Sequence, residues 1–249
     1  MEKIQGQIIN AGPQLIQNYQ KLKKLNQIVQ TLSGQLWNWP NCNTLTAPSI
    51  ARILHLNNLY QKIINVPGSI CEFGIHYGSS SSVLINLKQI YEPRNSNRRF
   101  FFFDTFDGFD GINSKDGEKV EKGDFGIEGN YEFILRDILE THMAINQVNG
   151  DSEYKIFSGD ARQTIDDFLA SSPESGIALA ILDMDLYEPT REVLAKIIPR
   201  LTRGAIVVFD EYNHPDYPGE SIAVRELLGT HNISLERSIY LPHAAWFCW

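Results

Sequence analysis

Two short acidic segments, each standing at the end of an apolar run, concentrate the chemistry of this sequence. Ile177-Ala178-Leu179-Ala180-Ile181-Leu182 runs directly into Asp183-Met184-Asp185, and Ala205-Ile206-Val207-Val208-Phe209 runs into Asp210-Glu211. Uninterrupted apolar runs of this length are what strands buried on both faces require. Ligands of open α/β sheets bind outside the carboxyl ends of the strands, so two neighbouring strands ending this way would gather three or four carboxylates around one crevice. Such an oxygen-rich group suits a divalent cation. Asp183 and Asp210 lie twenty-seven residues apart, about one helix and one strand, so their strand ends should be level. Asp183 is therefore expected to face the cation beside Asp210. Asp185 is expected either to shape the pocket with Leu186 and Tyr187 or to cap a helix starting near Thr190.

The remaining polar signals also sit at strand ends. A first strand, Ser69 to Phe73, leads through Glu72 into Gly74-Ile75-His76-Tyr77-Gly78 and a run of serines, Ser79 to Ser82. Glycine there lets the backbone approach a ligand, and the amide groups of the following helix would face it. The spacing is not that of a dinucleotide fingerprint, because His76 and Ser79 stand where its second and third glycines would fall, and no Gly-Lys-Ser/Thr follows to make a P-loop. Gly74-x-x-x-Gly78 after an acid instead resembles the first motif of class I S-adenosylmethionine-dependent methyltransferases. Arg99 to Phe103 forms a second strand ending in Asp104, an acid placed to accept both hydroxyls of a ribose. After a third strand, Gly159-Asp160-Ala161 could meet an adenine amino group, or Asp160 could simply cap the next helix.

Taken in order, EFGIHYGSSS, FFFDTFDGF, SGDARQTI, ILDMDLYEPT and VVFDEYNHPDYPGESIAV resemble the macrocin O-methyltransferase family, over roughly residues 60 to 228. The resemblance implies an enzyme that methylates a hydroxyl, as on a sugar or another vicinal diol, of a small natural product. It implies that S-adenosylmethionine is held by Glu72, Gly74, His76, Gly78, Ser79, Ser80, Asp104, Thr105, Phe106, Gly159, Asp160, Ala161 and Asp183. It further implies a magnesium ion, or another divalent cation, on Asp183, Asp210 and Glu211, with Asp183 also the catalytic base. Met184 and Glu211 depart from the family, which has glycine and aspartate there; glutamate keeps the oxygen ligand on a longer arm. His214 is an alternative proton acceptor.

Apolar and loop segments alternate so as to position these residues. From Ser69 onward strands and helices succeed one another, the pattern of a parallel sheet, with the last helix expected over Ser221 to Leu228, and the chain closes on two strands near 234–240 and 244–248 joined by Leu241-Pro242-His243. The expected fold is α/β: a Rossmann-like class I methyltransferase fold with a mostly parallel seven-stranded sheet, a C-terminal antiparallel hairpin and an N-terminal helical extension. Residues 1–60 should form that extension or lid, with helices near 14–32 and 47–64, and residues 61–249 the methyltransferase domain. Trp37-Asn38-Trp39 should anchor the extension or wall an acceptor pocket. The loop 106–129, rich in acids and glycine, reads as a solvated excursion placed where a lid could close.

Composition narrows the partners. A net charge of −8 argues against nucleic acid, whose binding draws its affinity from Lys and Arg on phosphates. There is no apolar stretch of membrane-spanning length, and the N-terminal segment lacks a signal-peptide pattern, so a cytoplasmic protein is expected. Three scattered cysteines suit reduced core thiols. A homodimer through the N-terminal helices is a further expectation. Rival readings are a methyltransferase-like binding domain without catalysis, a metal-dependent nucleotide-sugar transferase and a phosphatase using Asp-x-Asp as nucleophile.

Overall fold

The computed structural model describes residues 2–4, 7–9, 13–33, 39–146, 154–229 and 233–249. A short antiparallel pair, β1 (Glu2–Ile4) and β2 (Gln7–Ile9), precedes helix α1 (Pro13–Ser33) and a 3-10 segment at Trp39–Thr44. The anchoring or walling role expected of Trp37 and Asn38 lies outside the described residues. Helix α2 (Ala47–Ile63) then leads into the alternating body: β3 (Ser69–Phe73), α3 (Ser79–Tyr91), β4 (Phe100–Asp104), α4 (Tyr131–Ile145), β5 (Tyr154–Ser158) and α5 (Ala161–Ser171). It continues with β6 (Ile177–Leu182), α6 (Tyr187–Ile197), β7 (Leu201–Phe209), α7 (Pro218–Leu228), β8 (Glu236–Arg237) and β9 (Ala245–Cys248).

The seven-stranded sheet has the order β5-β4-β3-β6-β7-β9-β8, parallel except that β9 runs antiparallel to both β7 and β8. The chain first builds outward from β3 through β4 to β5 and then returns to place β6 on the other side of β3. The crevice of the sheet therefore opens beyond the carboxyl ends of β3 and β6. Alternate residues of each strand feed two cores. Phe73, Phe103, Leu182 and Phe209 pack with α5, α6 and α7 on one face, and Phe102, Ile181 and Val208 pack with α2, α3 and α4 on the other. All six residues of β6 are buried, as its unbroken apolar run requires.

Two boundaries differ from expectation with consequences for the site. Helix α6 starts at Tyr187, three residues before Thr190, and its N-cap is Leu186 with no side-chain cap. Asp185 thus has no capping role and is instead held in the left-handed region at φ 61°. Helix α7 starts at Pro218 rather than Ser221, which brings Glu220 into its first turn and the protein interior.

The loop from Phe106 to Gly129 is solvated along much of its length but pinned to the body at a few points. Asp116 is wholly buried; it accepts the backbone N–H of Tyr187 at 2.5 Å and that of Asn113 at 2.6 Å. Lys115 pairs with Glu226 at 2.7 Å and Lys119 with Asp216 at 2.5 Å. Phe109, Val120 and Phe125 pack against Leu186 and Tyr217. The acidic composition of the loop pointed to water; the few apolar residues and one buried aspartate decide its position.

Candidate functional site

A cavity of about 280 Å³ opens at the carboxyl ends of the central strands. The register places Leu182 of β6 opposite Phe209 of β7, so Asp183 and Asp210, one step further on, stand side by side. Asp183 N–H donates to the Phe73 carbonyl at 2.8 Å and Gly74 N–H to the Phe103 carbonyl at 2.8 Å, tying three strand ends together. Gly74, at φ 88°, makes this possible: a Cβ there would run into the Asp183 carbonyl.

The residues expected to hold S-adenosylmethionine divide into two groups. Gly74, His76, Asp104, Thr105, Gly159, Asp160, Ala161 and Asp183 line the cavity; Glu72, Gly78, Ser79, Ser80 and Phe106 are not among its walls. Glu72 is 1% exposed and accepts the Ser81 hydroxyl at 2.6 Å. Burial drives its carboxyl up to about 8, with the Ser81 hydrogen bond opposing. Gly78 is packed under Leu135, which leaves no room for a Cβ, and Phe106 turns into the core. Asp104 accepts the backbone N–H groups of His76 and Phe106, both at 2.7 Å, so it organises the two loops that flank it. Asp160 is the N-cap of α5, accepting the Arg162 N–H at 2.9 Å, and also pairs with the Arg162 side chain. It caps and lines the cavity at once.

The acidic wall is denser than the sequence suggested. Asp183, Asp185, Asp210 and Glu211 line the cavity, and Glu220 lies behind them, fully buried, accepting the Glu211 N–H at 3.0 Å. Burial, then the neighbouring Asp210, holds the Asp183 carboxyl well above the usual carboxylate range. Burial likewise takes Asp185 to about 7 and Glu211 to about 8 and lifts Glu220 far up, with the surrounding carboxylates adding to each. Glu211 Oε2 and Glu220 Oε2 are buried without hydrogen-bond partners. His214 Nε2 lies 3.8 Å from Glu211 Oε2, and the ring does not reach the cavity wall.

Arg52 faces these acids from α2. Its guanidinium donates to both oxygens of Asp210, at 2.7 and 2.8 Å. Burial opposes its charge, but Asp210 and Asp183 outweigh burial and hold it firmly protonated. Among the described lining residues Arg52 is the only Lys or Arg. Among the described residues no three His, Cys, Asp or Glu side chains converge on one metal-sized position, so Asp183, Asp210 and Glu211 are neighbours rather than a formed ligand set. The sequence singled out neither Arg52 nor Glu220, although Glu220 falls inside one of the quoted motifs; only the tertiary fold brings each of them here.

Local strain gathers at the same place. Among the described residues five that are not glycine have positive φ, namely His76, Phe106, Phe125, Asp185 and Asn213, and three of them line the cavity. Each costs on the order of 1–3 kcal/mol, which packing elsewhere must sustain.

Comparison with known proteins adds an independent line. The crystal structure of CalS11, a calicheamicin methyltransferase, superposes with a TM-score of 0.86 at 32% identity, covering 100% of this chain and 98% of that one. Its apo structure, described as a TDP-rhamnose 3'-O-methyltransferase, gives a TM-score of 0.80 over 97% of both chains. Demethyldecarbamoylnovobiocin O-methyltransferase of Streptomyces niveus is 24% identical over 179 residues. A tetracenomycin rhamnosyl 4'-O-methyltransferase of Streptomyces olivaceus is 27% identical over 178. Each of these two alignments covers 70% of this chain, which spans 64% of the length of those curated relatives. The family model described as macrocin O-methyltransferase matches residues 13–237. With that match over most of its length and the class I methyltransferase sheet in place, the chain belongs to the macrocin O-methyltransferase family.

Proposed function

We propose that this protein transfers the methyl group of S-adenosylmethionine to a hydroxyl of a sugar, or of a similar vicinal diol, on a small natural product. The observation that carries the reading is the position of Asp183. It stands on the wall shared by Gly74, Asp104 and Asp160, which would hold the methyl donor, and by Asp185, Asp210 and Glu211, which would face the acceptor. S-adenosylmethionine, when bound, supplies an electrophilic methyl group. The likeness to CalS11 supports a deoxysugar as acceptor.

The side chains present supply the oxygen donors that a divalent cation would need, although they do not converge as they stand; Asp183, Asp210 and Glu211 would hold it. Carboxylates crowd the cavity against a single guanidinium, and the buried Glu211 Oε2 has an unused acceptor. Bound there, the cation would supply positive charge beside a hydroxyl losing its proton. The chain does the rest. Asp183, made basic by burial and by Asp210, takes the hydroxyl proton. Glu220 fixes the backbone of Glu211, while Phe109, Phe125 and Tyr217 shield the cavity from water. Residues 1–60 are proposed as the extension that completes the acceptor side, and α1, which exposes Tyr19, Leu25 and Ile28, as the contact in a homodimer. Light scattering should then report twice the chain mass. Among the described residues no helix is long and apolar enough to cross a membrane.

The test is methyl transfer from labelled S-adenosylmethionine to TDP-rhamnose and related glycosides, with and without EDTA. Label on a sugar hydroxyl, lost in EDTA and restored by magnesium, is the expected result. Undiminished transfer in EDTA would remove the metal from the reading. Cofactor binding without transfer to any acceptor would favour a non-catalytic binding domain.

A further inference from the structure

Arg52 and Asp210 form a bidentate pair whose two halves differ in freedom. The Arg52 side chain is 34% exposed and extends from a helix outside the sheet, whereas the Asp210 side chain is 5% exposed and fixed at the end of β7. A guanidinium fork occupies both carboxylate oxygens at once, in the direction from which a cation would also approach. Asp183, Asp185 and Glu211 line the cavity with Asp210, Glu220 lies buried behind them on the Glu211 N–H, and no other Lys or Arg is among the described lining residues. Without Arg52, these carboxylates would face one another with no fixed positive charge among the walls. A divalent cation and Arg52 would neutralise the same group, and placed together they would repel across a few ångströms of low-dielectric interior.

We propose that Arg52 is a displaceable counter-ion: it holds Asp210 while the site is metal-free and must release it when a divalent cation binds. The inference rests on the proposed metal site, and it makes that site conditional. Asp210 becomes a ligand only when its part-exposed partner swings away. It also accounts for the carboxylates standing as neighbours without converging, since Arg52 holds one of them by both oxygens.

The test uses the full chain, without methyl donor or acceptor, and manganese as the probe, followed by electron paramagnetic resonance and calorimetry. R52M is expected to bind manganese about tenfold more tightly than wild type, and R52K, which keeps the charge but loses the fork, to fall between. In EDTA, R52M should melt below wild type, and manganese should raise its melting temperature by more than it raises that of wild type. D210N should bind manganese weakly whatever stands at position 52. Should R52M not fold, R52K against wild type carries the same comparison with the same sign. Equal or weaker manganese binding by the Arg52 variants, with wild type binding normally, would overturn the displacement and leave the metal site standing. No manganese binding by wild type or any variant would overturn the metal site and this inference with it.

Discussion

Two arginine–carboxylate pairs, one buried and one part-buried, sit at opposite ends of the same sheet, and they are built to different ends. At the amino ends of the strands Arg98, 1% exposed, donates to both oxygens of Glu92 at 2.9 and 3.1 Å. It donates further to the carbonyls of Ile63, Val66 and Gly68. Glu92 is completed by Tyr60 at 2.8 Å and Asn95 at 2.7 Å. Each oxygen of that carboxylate is thus engaged twice. At the carboxyl ends Arg52 grips Asp210 equally well but stands against four further carboxylates, two of which carry buried oxygens without hydrogen-bond partners. The first pair locks α2 and the β3 entrance to the body. The second leaves a surplus of buried acidic groups that a protein selected for stability alone would shed, and that surplus marks the functional end.

Substitution should separate the two ends, beginning with the larger effects. R98M should destabilise the fold by about 3–5 kcal/mol in urea denaturation, because it strands Glu92 without its partner. A loss under about 1 kcal/mol, the worth of an exposed pair, would mean the amino-end pair is not a structural lock. D183N should cost activity roughly 10²–10⁴-fold, the range for a lost general base, while denaturation shows a fold at least as stable as wild type. An active D183N enzyme would move the proton acceptor elsewhere, Asp185 being nearest in kind.

Smaller effects concern pH. Asp185 is raised to about 7 from the ordinary 3.8, so folding burdens the ionised carboxylate. The sign follows from linkage: the folded state keeps a proton that the unfolded chain releases, so stability falls as pH rises from 3.8 toward 7. In EDTA, D185N should therefore match wild type near pH 4 and exceed it by about 1–3 kcal/mol at pH 8, since each pH unit between the folded and unfolded values is worth roughly 1.4 kcal/mol before relaxation reduces it. Glu92 is shifted the other way. Burial opposes its charge, but Arg98, Asn95 and Tyr60 outweigh it and hold the carboxyl below the usual value. Its contribution is present above pH 4.5 and is lost as pH falls through the lowered value, so the stability gap between wild type and R98M should narrow in acid. Denaturation midpoints across the pH range would show both trends, and a gap that widened in acid would contradict the second.

Local patterns in the sequence made part of this legible. Unbroken apolar runs ending in acids placed β6 and β7, and spacing alone put Asp183 level with Asp210, which the pairing of Leu182 with Phe209 bears out. The alternation of strands and helices foretold the sheet and its antiparallel close. What could not be read depends on distant parts of the chain meeting. Arg52 reaches Asp210 across 158 positions, and Glu220 enters the interior because α7 begins a turn early at Pro218. Glu72 illustrates the converse. An acid near the end of an apolar strand reads as a ligand contact; its partner Ser81 on the adjacent helix is invisible without the packing of α3 on β3. Asp116 shows that one buried carboxylate can fix where an otherwise solvated loop sits.

Everything proposed for the carboxyl end requires that the crevice beyond β3 and β6 hold a methyl donor. Calorimetric titration of the full chain with S-adenosylhomocysteine and, separately, with NAD tests this directly. Saturable one-to-one binding of S-adenosylhomocysteine and no heat from NAD is the predicted result; tight binding of NAD, or none of S-adenosylhomocysteine, would contradict it.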